Sequence, residues 1–405
     1  MNGSDSVKKQ ILFVIPSMRS GGAEKSLLTL LTLFDYSRYR VDLLCFRHDG
    51  LFFKKIPQDV NVIGDSKNYE IFDGDAMTAV KYFLKKGKIF SAADRYKYSK
   101  LWSIDDPHKV EELQWKCLKK QLPKLKKHYD CAIGYLEGNA NRFVAEKVSA
   151  EHKIMYIHND IEKLGFDYES YKESFSRADK IVTVSEECKN SIMKNFSEYS
   201  EKICIIENIT SRTLLEKESK ESVAYPNKND CTIINTVGRF SEQKNIFLAV
   251  ETCAELIARG RRIKWYHIGD GVLREQIEKC ILDYGVEDSF ILLGEQSEPY
   301  PYIGQCDIYV QPSLFEGKSI AVDEAKCLCR PIVVTDFSTV HDQIEDGVNG
   351  LICEMNRTDM ADKIEALIDN KQERNKLIEN LGKEKVGNEE EINKFYDMID
   401  RCESK

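Results

Sequence analysis

Short apolar runs separated by helical patterns recur along most of this chain. ILFVI at 11–15 and YRVDLLCF at 39–46 are nearly continuous apolar runs, which are typical of parallel strands covered on both faces. The leucines that follow Gly22 recur at helical spacing instead. This alternation predicts an α/β protein with doubly wound parallel sheets.

The predicted strands fall into two series, separated by a polar, charge-rich stretch at 211–230. The first series comprises 11–15, 39–46, 59–65, 129–138, 153–158, 180–185 and 202–208. The second comprises 231–240, 264–271, 289–295, 307–313, 330–336 and 350–354. We therefore predict two Rossmann-like domains, at 1–210 and 231–385, joined by a linker at 211–230. Ligands are expected in a cleft between them, at the carboxyl ends of the strands.

Length and composition describe a cytoplasmic globular protein with two cores. Of the 405 residues, 42% are hydrophobic and 31% charged, and chains beyond about 250–300 residues usually divide into domains. We find no secretory leader and no apolar run of about 18 residues, the length that a membrane-spanning helix requires. The thirteen cysteines are scattered singly, which is typical of thiols in a reducing compartment.

One segment is basic, although the formal net charge of the chain is −8. Fourteen Lys or Arg and only five Asp or Glu lie between Lys81 and Lys127. Across the insert 74–127, lysines alternate with aromatic residues, and four apolar residues recur roughly at helical spacing: Trp115, Leu118, Leu122 and Leu125. Such a segment either lies on an anionic membrane surface or packs on the sheet with a solvated lysine face. Nucleic acid is not expected as a partner, because the rest of the chain is acidic.

Two loops of the second series carry candidate chemistry. GRFSEQKN brings Arg239 and Lys244 around one turn, and two cations on a loop suit a diphosphate. In EGKSIAVDE, a helix is predicted to begin near Lys318 or Ser319, and its free amides and dipole favour a second diphosphate contact. Glu316 and Glu324 could then accept hydrogen bonds from sugar and ribose hydroxyls. Surface cations and a helix with flanking glutamates are the alternative interpretation.

Three further sets of residues are weaker candidates. Gly21 and Gly22 open a helix where an anion could bind, or they form a structural turn. His158 follows a strand and is either a ligand-binding or a structural histidine. Asp73 and Asp75 resemble an acidic metal-binding pair, but they lie outside the strand series.

The motifs, in their order, resemble the retaining glycosyltransferases of family 4, which have the GT-B architecture of two Rossmann-like domains. The resemblance rests on GGAE at 21–24, VGRFSEQKN at 237–245, HIGDGVLR at 267–274, the run at 290–326, and PIVVTD followed by DGVNGLI. It implies that the first domain binds the acceptor and the second a nucleotide-sugar donor. It also implies that the helical segment at 386–405 returns to the first domain.

The resemblance assigns roles residue by residue. Arg239 and Lys244 match the family's diphosphate-binding cations, and Glu316 and Glu324 match its paired glutamates, which face the donor sugar and the ribose. Amides on the phosphate side are implied for Lys318, Ser319 and Ile320. Gly21 and Gly22 match the loop of the first domain that approaches the phosphates. His158 matches the active-site histidine, and the LLGEQ turn at Gly294 would hold the base.

The implied reaction is transfer of a hexose, with retention, from a UDP-sugar to a hydroxyl of a glycan acceptor. No residue is a confident nucleophile, so the double-displacement route of glycosidases is not supported. Neither a metal nor another cofactor is expected, since cations and helix dipoles would stabilise the departing diphosphate.

The sequences EGKSIAVDEAK and YLEG are most similar to those of family members that build bacterial surface polysaccharides on lipid carriers. A lipid-linked acceptor would place the protein at the inner membrane face, with 81–127 as the docking segment. The alternatives are another GT-B enzyme, such as a sugar-nucleotide epimerase, and a catalytically silent partner subunit. Turnover of a panel of UDP-sugars would separate the three.

Overall fold

Parallel sheets form the centre of each half of the chain, as the apolar runs predict. The structure is a computed structural model that describes residues 8–19, 21–101, 107–164, 168–220, 225, 231–296 and 298–401. It divides into two units, one formed by Met1–Glu207 with Ile392–Lys405 and the other by Asn208–Glu391. Elements are numbered below in chain order.

The first unit contains a seven-stranded parallel sheet with strand order β3-β2-β1-β4-β5-β6-β7. Its strands are β1 Lys9–Ile15, β2 Tyr39–Cys45, β3 Val60–Ile63, β4 His128–Gly134, β5 Ser149–Ile157, β6 Lys180–Thr183 and β7 Ile203–Ile205. Its helices are α1 Gly22–Thr32, α2 Lys67–Asp73, α3 Ala76–Lys85, α4 Ile89–Lys100, α5 Pro107–Leu118, α6 Asn139–Lys147, α7 Ile161–Leu164, α8 Tyr168–Ser176, α9 Glu186–Asn195 and α17 Glu391–Arg401. Strand order reverses between β1 and β4, which is the position where such sheets bind ligands.

The second unit contains a six-stranded parallel sheet with strand order β10-β9-β8-β11-β12-β13. Its strands are β8 Thr232–Val237, β9 Ile263–Ile268, β10 Phe290–Leu292, β11 Ile308–Gln311, β12 Ile332–Thr335 and β13 Leu351–Cys353. Its helices are α10 Arg212–Glu218, α11 Ile246–Ala258, α12 Arg274–Tyr284, α13 Tyr300–Gln305, α14 Ile320–Cys327, α15 Arg357–Asp369 and α16 Lys371–Lys383. Here the reversal falls between β8 and β11.

The last helix, α17, packs on the sheet of the first unit. Phe395 is fully buried, and its ring stacks on Phe13 of β1 with centroids 5.8 Å apart. Tyr396 stacks on Tyr39 at 5.4 Å, and Asp400 accepts a hydrogen bond from the Tyr39 hydroxyl. Aromatic burial therefore attaches the end of the chain to its first strands.

The polar stretch at 211–230 begins with structure rather than with an open linker. Ser211 caps α10 by accepting the amide of Leu214, and Leu215 is buried in the core of the second unit. Apart from Tyr225, which packs in the same core, residues 221–230 lie outside the described chain.

The basic insert forms a helical layer on the first sheet. The apolar residues at helical spacing do not form one continuous helix, because α5 ends at Leu118, five residues before Pro123. Trp115, Leu118 and Leu122 are buried in the core beside β1 and β4, so this apolar face packs on the sheet. The described helices of the chain include none with the length and apolarity needed to cross a membrane.

Candidate active site

The principal site lies in the second unit, where the strand order reverses. Loops that follow β8, β11 and β12, three neighbouring strands, meet at one edge of the sheet. The carboxyl ends of parallel strands at such a reversal form the usual ligand-binding crevice.

A buried ion pair joins two of these loops. Lys244, in the loop after β8, places Nζ 2.5 Å from Oε1 of Glu316, in the loop after β11. The carboxylate also accepts a hydrogen bond from Ser313 Oγ at 2.6 Å and a long one from Gln243 Nε2 at 3.4 Å. Glu316 is only 5% exposed. A charge at that depth needs a partner, and Lys244 supplies it.

A polar stripe along β11 supports Glu316 from within the sheet. The Tyr309 hydroxyl donates to Gln311 Oε1 at 2.7 Å, and Gln311 Nε2 donates to Ser313 Oγ at 2.8 Å. Ser313 in turn donates to Glu316, so one chain of hydrogen bonds runs from the strand to the carboxylate. Sequence reasoning missed Gln311 and Ser313, although polar residues at alternate positions of a buried strand are a detectable signal.

The last residue of β12 and the segment after it hold the backbone of the same loop. Thr335 Oγ1 donates to the Ser313 carbonyl at 2.5 Å, and Thr339 Oγ1 donates to the Glu316 carbonyl at 3.2 Å. Both hydroxyls are buried, and each takes a carbonyl that could not reach water.

Gln343 completes this support at the start of α14. Its Oε1 accepts the Ser319 amide and its Nε2 donates to the Ser319 carbonyl, both at 2.9 Å. The Ser319 amide, predicted to face a phosphate, is therefore bonded to Gln343 instead. Thr339 and Gln343 were also missed, because their partners lie more than 20 residues away in sequence.

The helix at this site begins where the sequence predicts. Ser319 is the N-cap and Ile320 the first residue of α14, while Lys318 Nζ lies 3.8 Å from Asp323 Oδ2. Glu324 is 2% exposed on this helix. Burial, with the Glu324 carboxylate among the nearby charges, raises the pKa of Tyr300 and Tyr309.

Arg239 and Lys244 are not joined in one clamp. Lys244 points inward to Glu316, whereas Arg239 is exposed and its guanidinium has no ion pair or hydrogen bond with the described residues. The Arg239 side chain is therefore available to an anion from solvent, and Lys244 is already engaged.

The loop of Arg239 rests on the turn that follows β9. His267 Nε2 donates to the Gly238 carbonyl at 2.9 Å, and burial lowers the pKa of His267 to about 4. A Cβ on Gly269, whose φ is +141°, would lie 2.0 Å from that carbonyl, so only glycine permits this approach. The Gly269 amide donates to the carbonyl of Gly294 at 2.9 Å, which ties the predicted base-binding turn to the same layer.

In the first unit, Gly21 and His158 lie at strand ends. Gly21 is the N-cap of α1 and Gly22 its first residue. A Cβ on Gly21 would lie 2.0 Å from Oε2 of Glu24, so the chain's own carboxylate sits against this turn. A larger residue at this N-cap would therefore require the flexible Glu24 side chain to move.

His158 is 7% exposed and held by hydrogen bonds from its ring and from its backbone. Its Nε2 donates to the Tyr135 carbonyl at 3.0 Å, and its amide donates to Glu137 Oε2 at 2.9 Å. Its ring stacks on Tyr156 with centroids 5.5 Å apart. Glu137, which sequence reasoning missed, also accepts from the Asn159 amide group at 2.5 Å.

The acidic pair considered for a metal has structural partners. Asp73 accepts from Arg47 Nη1 at 3.0 Å, and Asp75 caps α3 by accepting the Thr78 amide at 2.8 Å. Within the described ranges there is no group of three His, Cys, Asp or Glu side chains arranged to hold a metal ion.

Comparison with known proteins identifies the fold of the chain and the family that its second unit resembles. The structure superimposes on that of Anabaena HepE in complex with UDP-glucose, with a TM-score of 0.71 and 16% identity over 97% of this chain and 98% of that one. The chain has the GT-B fold of glycosyltransferases, which confirms the predicted fold class.

Residues 217–384, most of the second unit, match the family described as "Glycosyl transferases group 1". This match covers less than half of the chain, and it supports the predicted resemblance to GT-B glycosyltransferases of the bacterial surface-polysaccharide type.

Two curated relatives match part of the chain. The alpha-D-kanosaminyltransferase of Streptomyces kanamyceticus is 34% identical over 155 residues, covering 38% of this chain and 40% of that protein. The N-acetylgalactosamine-N,N'-diacetylbacillosaminyl-diphospho-undecaprenol 4-alpha-N-acetylgalactosaminyltransferase of Campylobacter jejuni is 25% identical over 229 residues, covering 56% and 60%. The match thus spans about half the length of these relatives.

Proposed function

We propose that this protein transfers a hexose from a UDP-sugar, with retention of configuration, to a hydroxyl of a lipid-linked glycan acceptor. The observation that carries the proposal is the buried Lys244–Glu316 pair beside the start of α14. A sugar diphosphate requires cationic groups for its phosphates and a hydrogen-bond acceptor for its sugar hydroxyls. A carboxylate held next to cationic groups meets both needs.

Three sources of positive charge can serve the diphosphate. An ammonium group has three N–H donors, so Lys244 can keep its bond to Glu316 and still donate to a phosphate oxygen. The exposed Arg239 guanidinium can add a bidentate contact. The first turn of α14, whose dipole is positive at this end, lies next to Glu316 along the chain. We therefore propose that the leaving diphosphate is stabilised without a metal.

Glu316 is suited to orient the donor sugar and not to attack it. Its Oε1 already accepts from Lys244 and Ser313, whereas the one contact of Oε2 with the described residues is the long one to Gln243. Oε2 thus keeps the capacity to accept a bond from a sugar hydroxyl. Two strong donors on Oε1 lower the nucleophilicity of the carboxylate, which favours front-face departure of the leaving group over a covalent glycosyl intermediate.

The name of the Campylobacter relative supports the acceptor class that we propose, because that protein is described as acting on a diphospho-undecaprenol carrier. The HepE structure in complex with UDP-glucose supports the donor class in the same way. An active-site role for His158, a ribose contact for Glu324 and a peripheral membrane location remain predictions.

The test is turnover of a panel of UDP-sugars, with and without a synthetic polyprenyl-diphosphate sugar and with excess EDTA. Transfer that persists in EDTA, with the anomeric configuration kept in the product by NMR, would support the proposal. Conversion of the donor to its epimer would favour the epimerase alternative. Absence of both turnover and UDP binding would favour a silent subunit.

A further inference from the structure

A turn in the basic insert exposes apolar side chains among lysines. We call residues 84–90 the α3–α4 tip, because α3 ends at Lys85 and α4 begins at Ile89. Leu84, Ile89 and Phe90 are 53%, 65% and 88% exposed. Single exposed apolar residues are ordinary, but three within one turn mark a contact surface.

The tip is anchored from below and is not a loose loop. Gly87, with φ of +69°, reverses the chain, and its amide donates to the Leu84 carbonyl at 3.0 Å. The Lys88 amide donates to the carbonyl of Phe83, whose side chain is fully buried in the core of the first unit. These two bonds form the helix-ending motif that typically uses glycine. The exposed side chains are therefore presented by a fixed turn.

Charge at the tip has one sign. Four lysines and no acidic residue lie between Ala76 and Ala93, and the lysines at positions 81, 85, 86 and 88 are all exposed. The flanking carboxylates are engaged, since Asp75 caps α3 and Asp94 accepts from Lys120 at 2.9 Å. The tip thus combines apolar side chains with lysines that form no ion pair with any residue in the described part of the chain.

We propose that the α3–α4 tip inserts Leu84, Ile89 and Phe90 between the headgroups of an anionic lipid bilayer, with the lysines of the tip on the lipid phosphates. Basic residues beside exposed aromatic and aliphatic side chains are the pattern of interfacial membrane binding. A stable protein interface needs about 800 Å² on each partner, which one projecting turn does not offer, whereas a bilayer accepts a single point of insertion.

This inference rests on the proposed function and extends it, because a lipid-linked acceptor would lie in the same membrane surface that the tip contacts. It also narrows the docking surface from 81–127 to one turn. The apolar residues of α5 and its C-terminal turn, Trp115, Leu118 and Leu122, are buried against the sheet and unavailable to lipid.

The experiment measures co-sedimentation of the full chain with vesicles of phosphatidylcholine alone or mixed with phosphatidylglycerol. We expect the wild type to bind only the mixed vesicles, and Ile89→Ser with Phe90→Ser to weaken binding at least about tenfold, since each apolar side chain contributes that order of affinity. Lys85→Glu with Lys86→Glu should also weaken it. Two controls should bind normally: Val272→Ser, at an apolar residue 92% exposed in the second unit, and Lys124→Glu with Lys126→Glu, at exposed lysines of the same insert outside the tip.

Three results would overturn the inference: no binding by the wild type, equal binding by the tip variants, or equal loss in the controls. Light scattering tests whether the tip instead binds a second copy of the chain. A wild-type dimer that becomes monomeric in the tip variant would make the tip a contact between two copies. Release of UDP from a soluble UDP-sugar is measured on the same variants and should not change. If the wild type releases no UDP, that result would count against the proposed function. It would not affect the conclusion from vesicle binding.

Discussion

The Glu316 loop and the α3–α4 tip are both charged, but they hold their charge in opposite ways. Glu316 is buried and bonded to the partly buried Lys244, with Ser313 as a third member. The lysines of the tip are exposed and have no carboxylate on their own hairpin turn. Buried charges act at fixed distances on a small ligand, whereas exposed charges of one sign act on an extended surface. The comparison teaches that burial, and not the number of charges, separates the two proposed roles.

The largest expected effect comes from Glu316→Gln. The amide keeps the size of the side chain and an oxygen for Lys244, but it loses the negative charge that would hold a sugar hydroxyl. We expect kcat for transfer to fall about 10³-fold, as for loss of a central electrostatic group, while vesicle binding is unchanged. Glu287→Gln, at an exposed glutamate of the same unit, is the matched control. Full activity in Glu316→Gln would remove the central assignment.

Substitutions at Arg239 and Lys244 compare an exposed charge with an ion-paired charge within the site. Arg239→Ala should raise the KM for the donor about tenfold, the size of one lost charged hydrogen bond, without changing the melting temperature. Lys244→Met should lower activity and also destabilise the fold by about 3 kcal/mol, because Glu316 is left buried without its cation. Urea unfolding and donor titration measure both effects. Equal stability losses in the two variants would contradict this difference.

Gln343→Ala tests whether support by a neighbouring loop positions the donor site. Removal of its amide leaves the Ser319 amide unpaired, whereas the Ser319 carbonyl keeps the bond from the Asp323 amide. We expect a cost of about 1–3 kcal/mol and a kcat lowered about tenfold, with a smaller change in donor KM. Asn380→Ala is the control, since Asn380 also donates to a backbone carbonyl, that of Val348, through a solvent-exposed hydrogen bond. Loss of stability with kcat unchanged would show that Gln343 is only structural.

The smallest effect concerns pH. Burial lowers the pKa of His267 from its ordinary 6.5 to about 4. Between these values the unfolded chain binds the proton and the folded chain does not, so stability is lost as pH falls from 6.5 towards 4. We expect His267 to contribute up to about 3 kcal/mol of this loss. His267→Phe should reduce the difference in unfolding free energy between pH 7.5 and 4.5, whereas vesicle binding through lysines should hardly change. If His267→Phe leaves the difference in unfolding free energy between pH 7.5 and 4.5 unchanged, His267 does not cause the loss of stability at low pH.

Much of the fold was predictable because each strand is a local apolar run. ILFVI lies within β1, and KIVTVS contains β6. Boundaries shifted where polar residues extend a strand, as in β5, which starts at Ser149 and not at Lys153. The structure of the basic insert was predictable only in part. The spacing indicated an apolar face at Trp115, but it did not indicate that the sheet covers this face.

For the site, local sequence determined which groups are present and where α14 begins, because a loop followed by a helical pattern is readable along the chain. It also determined the two α/β series and the basic character of 81–127. Only the tertiary structure decided that Lys244 pairs with Glu316, that Gln343 takes the Ser319 amide, and that Leu84, Ile89 and Phe90 stay exposed. The reason is physical: hydrogen bonds and burial depend on neighbours that come from distant parts of the chain, and spacing along the sequence does not specify them.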